Sequence, residues 1–371
     1  MNRILILPII LFLLLASCTE TRQQEKDNPE KIYVDSLTYN FEPFLNGMTY
    51  KYVKLQTTED CLITTISRIK RDDSLLFIMD SKQHLYVFDI YGHYRRTIGS
   101  KGGSKKEFIN MYDFFLIKEK KEIGIIDRAK CDYLLFDYDG KFIDRKSLPR
   151  EPFTATNCCE RLNNLFVFNN YFYNGHPYNY TTYNQKSHTT KNELPYIKAP
   201  NEAIFGGCNA MCNLDNKILC RAQLSDTIFQ YTETGLKPAY EIISHNQHLT
   251  KSDLINISDD ELLNLSSIYE KTKKSIGIIS LFATDSLLII QYNQDGINRR
   301  CSYNTKKKIG IIDFDGDCRH NFIYSDSKCF ISLIDTENYE EYKDIKEMPN
   351  ELKQIIESSK ANDNPILTII E

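Results

Sequence analysis

The chain has 371 residues, and its 46 Lys and Arg against 50 Asp and Glu give a formal net charge of −4 at pH 7. This mild acidity argues against a nucleic-acid-binding protein and against a surface attracted to anionic lipid. The length is large for one ordinary domain. A repeat architecture accommodates it because such a fold grows by adding units and needs no enlarged single core.

The N-terminus has the pattern of an export signal. Arg3 is the only charge before an apolar stretch from Ile4 to Leu15, which is too short to span a bilayer but fits the hydrophobic region of a signal peptide. The next residues, Leu15-Ala16-Ser17-Cys18, resemble a bacterial lipobox, which implies cleavage before Cys18 and a lipid on its thiol. Residues 1–17 are therefore predicted to be a lipoprotein signal peptide. The alternative is an ordinary secretory signal followed by a chance cysteine.

The segment after Cys18 is predicted to be a tether, residues 18–30. Thr19 to Glu30 is polar and has no large aliphatic side chain, so it cannot bury enough apolar surface to fold on its own. The remaining residues, 31–371, are predicted to form the folded part of the protein.

Two segments in this part, Leu85–Gly92 and Tyr133–Gly140, have nearly the same sequence and share Phe-Asp-x-x-Gly. Each is a strand-like run followed by a turn that needs positive φ at its glycine, which is the pattern of a β-hairpin. Their spacing of about 48 residues is typical of β-propeller blades, in which four-stranded sheets bury one another's faces.

Three weaker copies follow, near Tyr183–Ser187, at Ile228–Gly235 and at Cys301–Lys307. The last spacing is longer by roughly half a repeat, which predicts an insertion within residues 236–284. Ser258 and Glu261 have capping-box spacing, and an apolar face follows them, so a helix is predicted at about residues 249–271. The face consists of Leu262, Leu263, Leu265, Ile268 and Tyr269.

The sixth unit has to be assembled from both ends of the chain. Residues 329–334 and 365–370 read as strands, with a second helical insertion at 338–358 in which Pro349 starts a helical turn. Residues 50–55 form a free alternating strand that can complete this blade and leave no long edge exposed. The predicted fold is therefore an all-β, six-bladed β-propeller with short helical insertions.

With this pattern the chain resembles the six-bladed β-propeller lipoproteins of gram-negative bacteria, which are related to NHL-repeat and TolB-like propellers. The stretches that carry the resemblance are Arg96–Phe108, followed by Asp113-Phe114, and the closing strand within Asn362–Leu367. Ser104-Lys105-Lys106 stands where the family has Gly-Pro-Gly. The resemblance implies an exported, lipid-anchored protein of the cell envelope, at the outer membrane and facing the periplasm or the surface.

Ten cysteines besides Cys18 are predicted to be mostly buried apolar thiols, because a domain of this size needs no crosslinks. A disulfide between Cys208 and Cys212 is an alternative. A zinc site at this pair or at Cys158-Cys159 is disfavoured because no second pair of the usual spacing exists. The ten are Cys61, Cys131, Cys158, Cys159, Cys208, Cys212, Cys220, Cys301, Cys318 and Cys329.

Other candidate site residues have simpler explanations. His245 and His248 lack the acidic partner of a metalloprotease motif and are assigned to a loop leading into the inserted helix. Asp313–Asp317 begins like a calcium loop but lacks its later ligands, which favours a β-turn. The Tyr- and Asn-rich segment 169–183 could bind a sugar, but aromatic packing between blades is the favoured interpretation. Lys306-Lys307-Lys308 reads as a solvated hairpin tip.

No signature of a hydrolase elbow, a phosphate-binding loop or a dinucleotide site occurs in the sequence. The chain is therefore predicted to be a non-enzymatic binding or scaffolding module for a protein or glycan, with no cofactor, no metal and no nucleic-acid partner, and to be monomeric. The alternative is a hydrolase or lyase with its site at the mouth of the central channel, where a cluster of His and carboxylates would support it.

Overall fold

The structure is a computed structural model that describes residues 28–39, 47–151, 156–170, 176–197, 210–262, 264–313, 321–334, 339 and 348–371. Residues 1–27, with the predicted signal peptide, Cys18 and most of the predicted tether, lie outside this description. Six small sheets form a six-bladed β-propeller, so the predicted fold class is confirmed.

The strands follow one another along the chain as β1 (Glu30–Tyr33), β2 (Thr38–Tyr39) and β3 (Tyr50–Lys54), and then the blades. Blade 1 consists of β4 (Ile66–Asp72), β5 (Leu75–Asp80), β6 (Leu85–Asp89) and β7 (Tyr94–Thr97). Blade 2 consists of β8 (Met111–Ile117), β9 (Glu122–Asp127), β10 (Asp132–Asp137) and β11 (Phe142–Ser147). Blade 3 consists of β12 (Thr156–Leu162), β13 (Leu165–Asn170), β14 (Tyr178–Asn184) and β15 (Thr189–Pro195).

Blade 4 consists of β16 (Met211–Asn213), β17 (Ile218–Arg221), β18 (Thr227–Thr232) and β19 (Gly235–Ile243). Blade 5 consists of β20 (Ile278–Ala283), β21 (Leu287–Gln294), β22 (Ile297–Asn304) and β23 (Ile309–Asp313). Blade 6 consists of β24 (Asn321–Ser325), β25 (Phe330–Ile334), β26 (Ile366–Ile370) and β3. The first strand of each blade contacts its counterparts in the order β4, β8, β12, β16, β20, β24 and back to β4, so these six inner strands form a closed ring.

Both faces of a blade are covered by its neighbours, as β6 shows. All five of its residues are buried. Tyr86 and Phe88 pack in the cluster shared with blade 6, whereas Leu85 and Val87 pack in the cluster shared with blade 2. Successive strand residues point to opposite faces, so a strand covered on both sides is apolar throughout.

The repeated Phe-Asp-x-x-Gly is the turn between the third and fourth strands of a blade, as predicted. The Asp89 carboxylate accepts hydrogen bonds from the backbone N–H of Tyr91 (2.9 Å) and His93 (3.0 Å). Gly92 has φ +88°, and a Cβ there would lie 2.2 Å from the carbonyl oxygen of Lys54. Gly140 repeats the conformation with φ +84°. The motif is therefore turn chemistry.

The predicted insertion is present between β19 and β20, but it is broken into short pieces. A 3-10 turn (Lys251–Leu254) is followed by helices α1 (Asp259–Leu262) and α2 (Leu265–Thr272). The predicted capping box exists, because Ser258 N–H donates to Glu261 and Glu261 N–H donates to Ser258. A second cap at Asn264 starts α2. The insertion has its own apolar cluster, which includes Leu254, Leu262 and Ile268.

In the second predicted insertion, helix α3 spans Asn350–Glu357 directly after Pro349, and Tyr339 is helical. Residues 340–347 lie outside the described residues. In the part of the chain that the structure describes, no helix is long and apolar enough to cross a membrane.

The ring closes between the two ends of the chain, as predicted. β3 pairs antiparallel with β26, with Val53 opposite Leu367. Asn364, just before β26, is fully buried and fastens the connection into blade 1. Its side-chain amide donates to the carbonyl oxygens of Gln56 (2.8 Å) and Cys61 (2.9 Å), and its side-chain oxygen accepts from Ile63 N–H (2.8 Å).

A feature that the sequence did not predict lies just before β3. β1 adds to the outer edge of blade 4 in parallel with β19, and β2 adds to the outer edge of blade 5 in parallel with β23. Glu30 accepts a hydrogen bond from the Tyr303 hydroxyl (2.8 Å) and pairs with Lys308. We call residues 30–39 the N-terminal strap. Lys306 and Lys307 are exposed as predicted, but Lys308 belongs to this contact.

Eight described cysteines are free, and all but the partly exposed Cys131 are buried. Burial raises the pKa of Cys212 and Cys301 to about 12, so these thiols are protonated and unreactive at neutral pH. The thiol of Cys212 donates to the carbonyl oxygen of Leu281 (3.2 Å). Its predicted alternative partner, Cys208, lies outside the described residues, as does Cys318.

Replacing Asn364 by Ala is expected to lower the free energy of unfolding by about 2–4 kcal/mol, because three backbone groups lose a buried partner. Urea denaturation measures this. The matched control is Asn362→Ala, at an exposed position two residues earlier, which should change stability by less than about 0.5 kcal/mol. Equal effects of the two substitutions would contradict the role given to Asn364.

Titration of thiols in the denatured, unlipidated protein is expected to give the same number with and without prior reduction, since the described cysteines are free. A higher number after reduction would reveal a disulfide.

Candidate functional site

The inner strands of all six blades converge on a cavity of about 530 Å³ at one mouth of the central channel. This is the mouth at which each inner strand ends and turns into the second strand of its blade. Half of the 26 lining residues are charged, with seven Lys and Arg and six Asp and Glu. A cavity of this volume has the size of a small-molecule or oligomer site.

At the centre of the cavity, Lys70 of blade 1 pairs with Glu160 of blade 3. The other carboxylate oxygen of Glu160 accepts from the side-chain amide of Asn213 in blade 4 (3.3 Å). Lys70 is only 7% exposed. Burial disfavours its charged form, but the carboxylates of Glu160 and Asp113 outweigh this cost and raise the pKa of Lys70. The pair therefore ties three blades together across the channel.

Asp113 of β8 is a second buried carboxylate beside the channel, 1% exposed. It accepts hydrogen bonds from the N–H of Cys159 in blade 3 (2.8 Å) and of Phe114 (2.8 Å). Its oxygen lies 3.7 Å from Nε of Arg68 in blade 1. The Asp-Phe pair that carries the family resemblance therefore joins the inner strands of three neighbouring blades.

Four contacts join the turns around the rim of the mouth. They are Lys121 with Asp72 (2.6 Å), Lys328 with Asp73 (2.6 Å), Lys118 with Asp215 (2.9 Å) and Ser327 with Asp215 (2.5 Å). Asp215 in the turn of blade 4 thus reaches both blade 2 and blade 6. Its burial raises its pKa, but the hydrogen bonds from Ser327 and Lys118 outweigh that effect, so the pKa of Asp215 is lowered and it is ionised at neutral pH.

Arg161, next to Glu160 in β12, differs from the other lining cations. Its guanidinium lies over the rings of Phe115 (5.5 Å) and Phe166 (5.8 Å), and its buried Nε has no hydrogen-bond acceptor. Burial lowers the pKa of Arg161. Within the residues that the structure describes, no carboxylate lies within ion-pair distance of this side chain.

The mouth does not have the composition that would favour the enzyme alternative. None of its described lining residues is a histidine. Five of its six carboxylates are held by cations or turn amides, and the sixth, Glu119, is exposed on the rim. A general base has to be free to reach a substrate proton.

The two candidate histidines lie in the loop after β19, as predicted, and not at this mouth. His245 bridges Asp35 of the strap and Asp295, at 3.0 Å each, and these hydrogen bonds raise its pKa. His248 pairs with Asp226, which also accepts from the Ser275 hydroxyl (2.7 Å). That serine bonds to the carboxylate and not to the imidazole, so the set is not a nucleophile with its base.

The remaining candidates do not form a common site. Tyr180 and Tyr183 are buried between blades, which confirms packing for these two, while residues 171–175 lie outside the described residues. Cys158 and Cys159 are buried in blade 3. Residues 314–320 of the calcium-like sequence also fall outside the description. Across the described ranges, no group of three or more His, Cys, Asp and Glu could hold a metal ion.

Sequence reasoning missed the charged mouth. One signal was available, the run Arg68-Ile69-Lys70-Arg71-Asp72, which places cations in a strand that the ring covers on both sides. Charges in such a strand are costly unless they are paired or serve a site.

A family model described as Domain of unknown function (DUF4934) matches residues 45–371. The fold is similar to that of a Bacteroides fragilis protein described as exported, with 17% identity, a TM-score of 0.73, and coverage of 92% of this chain and 98% of that one. A member of the duf4221 family from Bacteroides vulgatus is similar at 8% identity, with a TM-score of 0.55 and coverage of 88% and 99%. These likenesses show the fold alone. No curated protein matches, and the resemblance to NHL and TolB-like propellers stays a prediction.

Substituting Glu160 by Gln is expected to destabilise the protein by about 3 kcal/mol, because Lys70 is left as an uncompensated buried charge. The double variant Lys70→Met/Glu160→Gln should recover part of this loss, with an interaction energy of about 1–3 kcal/mol in a double-mutant cycle. Urea denaturation of the four proteins gives the values. Strictly additive effects would show that the pair does not tie the blades together.

Proposed function

The chain belongs to the DUF4934 family, whose description assigns no activity, and we propose that it is an exported, lipid-anchored, non-enzymatic binding module that engages a protein or glycan at the charged mouth of its channel. The observation that carries this proposal is the cavity of about 530 Å³, to which five blades contribute polar or charged groups and blade 5 contributes Phe282. Pockets with convergent polar groups are the usual place for ligands.

Two observations support export and anchoring. The sequence Leu15-Ala16-Ser17-Cys18 resembles a lipobox, and the similar fold from Bacteroides fragilis is described as exported. With a lipid on Cys18, the protein would lie in the envelope of a gram-negative bacterium as an outer-membrane lipoprotein, facing the periplasm or the cell surface.

The position of the strap is compatible with a bound ligand at the mouth. The chain joins the fold at Glu30, on the outer edge of blade 4, and a segment from Cys18 to Glu30 spans at most about 40 Å. The anchor would therefore hold the propeller by its circumference, and the lining of the mouth includes no residue of the strap.

A binding role is favoured over catalysis because five of the six carboxylates of the mouth are held by partners and its described lining lacks histidine. A fixed arrangement of paired charges presents donors and acceptors to a ligand without a free proton-transfer group.

Lipidation is tested by labelling cells with a fatty-acid analogue. The wild-type protein is expected to carry the label and to enter the detergent phase, and Cys18→Ala is expected to do neither. A labelled Cys18→Ala protein would contradict anchoring through this thiol.

Binding is tested by affinity capture from detergent-solubilised membranes. The rim variant Lys118→Gln/Lys328→Gln is expected to weaken partner binding by about 1 kcal/mol, roughly fivefold. The matched control Lys306→Gln/Lys307→Gln removes the same charge from the exposed blade 5 hairpin and should bind like the wild type. Recovery of no partner above the Cys18→Ala background, or equal recovery with both variants, would count against the proposal.

A further inference from the structure

Among the residues that the structure describes, Arg161 is the one cation of the mouth without an anionic partner, whereas each of the other lining cations has one. We propose that Arg161 is the anion receptor of the mouth and that the ligand is an acidic saccharide, whose uronate carboxylate the guanidinium holds. This inference rests on the proposed binding function and specifies its ligand.

The other six lining cations are all engaged. Lys70 pairs with Glu160, and the three rim lysines pair with Asp72, Asp73 and Asp215. Arg71 donates to Glu371 (2.6 Å), and Arg68 lies 3.7 Å from Asp113. Arg161 is therefore the one lining cation that the described part of the chain leaves without a carboxylate.

Among the described residues, the carboxylates of the cavity do not supply Arg161 with an ion-pair partner. Both oxygens of Glu160 are used by Lys70 and Asn213. Asp326 accepts from the N–H groups of its own turn at 2.8 and 3.0 Å, and from the Tyr324 hydroxyl. The charges of Glu119 and Glu122 favour the charged form of Arg161 from a distance, without an ion pair. Burial outweighs them and lowers the pKa of Arg161. A ligand anion would meet no competing internal group at this position.

The two aromatic rings explain why this guanidinium suits a carboxylate. The guanidinium carbon lies 5.5 Å from the centre of the Phe115 ring and 5.8 Å from that of the Phe166 ring, a cation–π arrangement that leaves its N–H groups available for hydrogen bonds. A guanidinium edge donates two parallel hydrogen bonds to a carboxylate, and this geometry is stronger in a partly desolvated site than in water. Nε itself is enclosed by the protein, so a ligand carboxylate would be held by the terminal amino groups of the guanidinium.

The rest of the lining favours a saccharide over a peptide terminus. Around Arg161 the mouth presents ion pairs whose heads remain accessible, such as Lys121 with Asp72 and Lys328 with Asp73, with lysine side chains 62% exposed in both. Such pairs can donate to and accept from sugar hydroxyls at once. Half of the lining residues are charged, so a saccharide would find hydrogen-bonding groups for its hydroxyls beside the carboxylate site.

The test is isothermal titration of the full chain with trigalacturonate, with neutral trigalactose and with a short peptide carrying a free C-terminal carboxylate. Trigalacturonate is expected to bind, and trigalactose at least about tenfold more weakly. Arg161→Gln should lower the affinity for trigalacturonate by about ten- to a hundredfold, and Arg161→Lys, which keeps the charge but loses the fork, by an intermediate factor. Thermal denaturation establishes that each variant is folded.

The matched control is Arg95→Gln, which removes an arginine from the outer strand of blade 1, and it should bind trigalacturonate like the wild type. Equal binding of acidic and neutral sugars, tighter binding of the peptide, or unchanged affinity in Arg161→Gln would each overturn the inference. Each of these results leaves a binding module in place, since the proposed function admits a protein or a glycan as partner. No binding of any probe, together with no captured partner, would overturn the proposed function as well.

Discussion

The antiparallel pairing of β3 with β26 is the contact on which the rest of the structure depends. It joins residues near the two ends of the chain and turns a row of blades into a ring. Only in a closed ring does every blade have a neighbour on both faces, which the apolar residues on both sides of β6 require. The channel and its charged mouth are consequences of the same closure, since Lys70 and Glu160 come from blades that are not adjacent.

The N-terminal strap adds further pairing between the start of the chain and its last blades. A propeller blade ends in an outer strand with unpaired backbone groups, which is a potential site of aggregation. The N-terminal segment supplies an added or completing strand to three successive blades, with β1 on blade 4, β2 on blade 5 and β3 in blade 6. Side chains reinforce it, because Glu30 is held by Tyr303 and Lys308, and Asp35 contacts His245.

Local sequence predicted the features that depend on local physics. Gly92 and Gly140 marked turns because both have positive φ, and at Gly92 the backbone of Lys54 also approaches closely. Ser258 with Glu261 marked a helix start. The blade count followed from the regular spacing of the repeated turns, and the closing strand from the alternating pattern of residues 50–55. The strap was missed because β1 has few apolar residues and pairs in parallel with strands some two hundred residues away, without any local turn signal. The charged mouth was missed for a related reason, since the partner of Lys70 is decided by ring closure and not by its neighbours in sequence.

The pairing of β1, β2 and β3 with the last three blades has a consequence for the order of folding. β1, β2 and β3 cannot pair until the strands β19, β23 and β26 have been synthesised, so the N-terminal segment emerges first and is incorporated last. Contacts of such sequence separation make folding slow, because most of the chain must be ordered before they form. The ring therefore stays open until the C-terminal strand is available, and its last three blades are completed together at the end of folding.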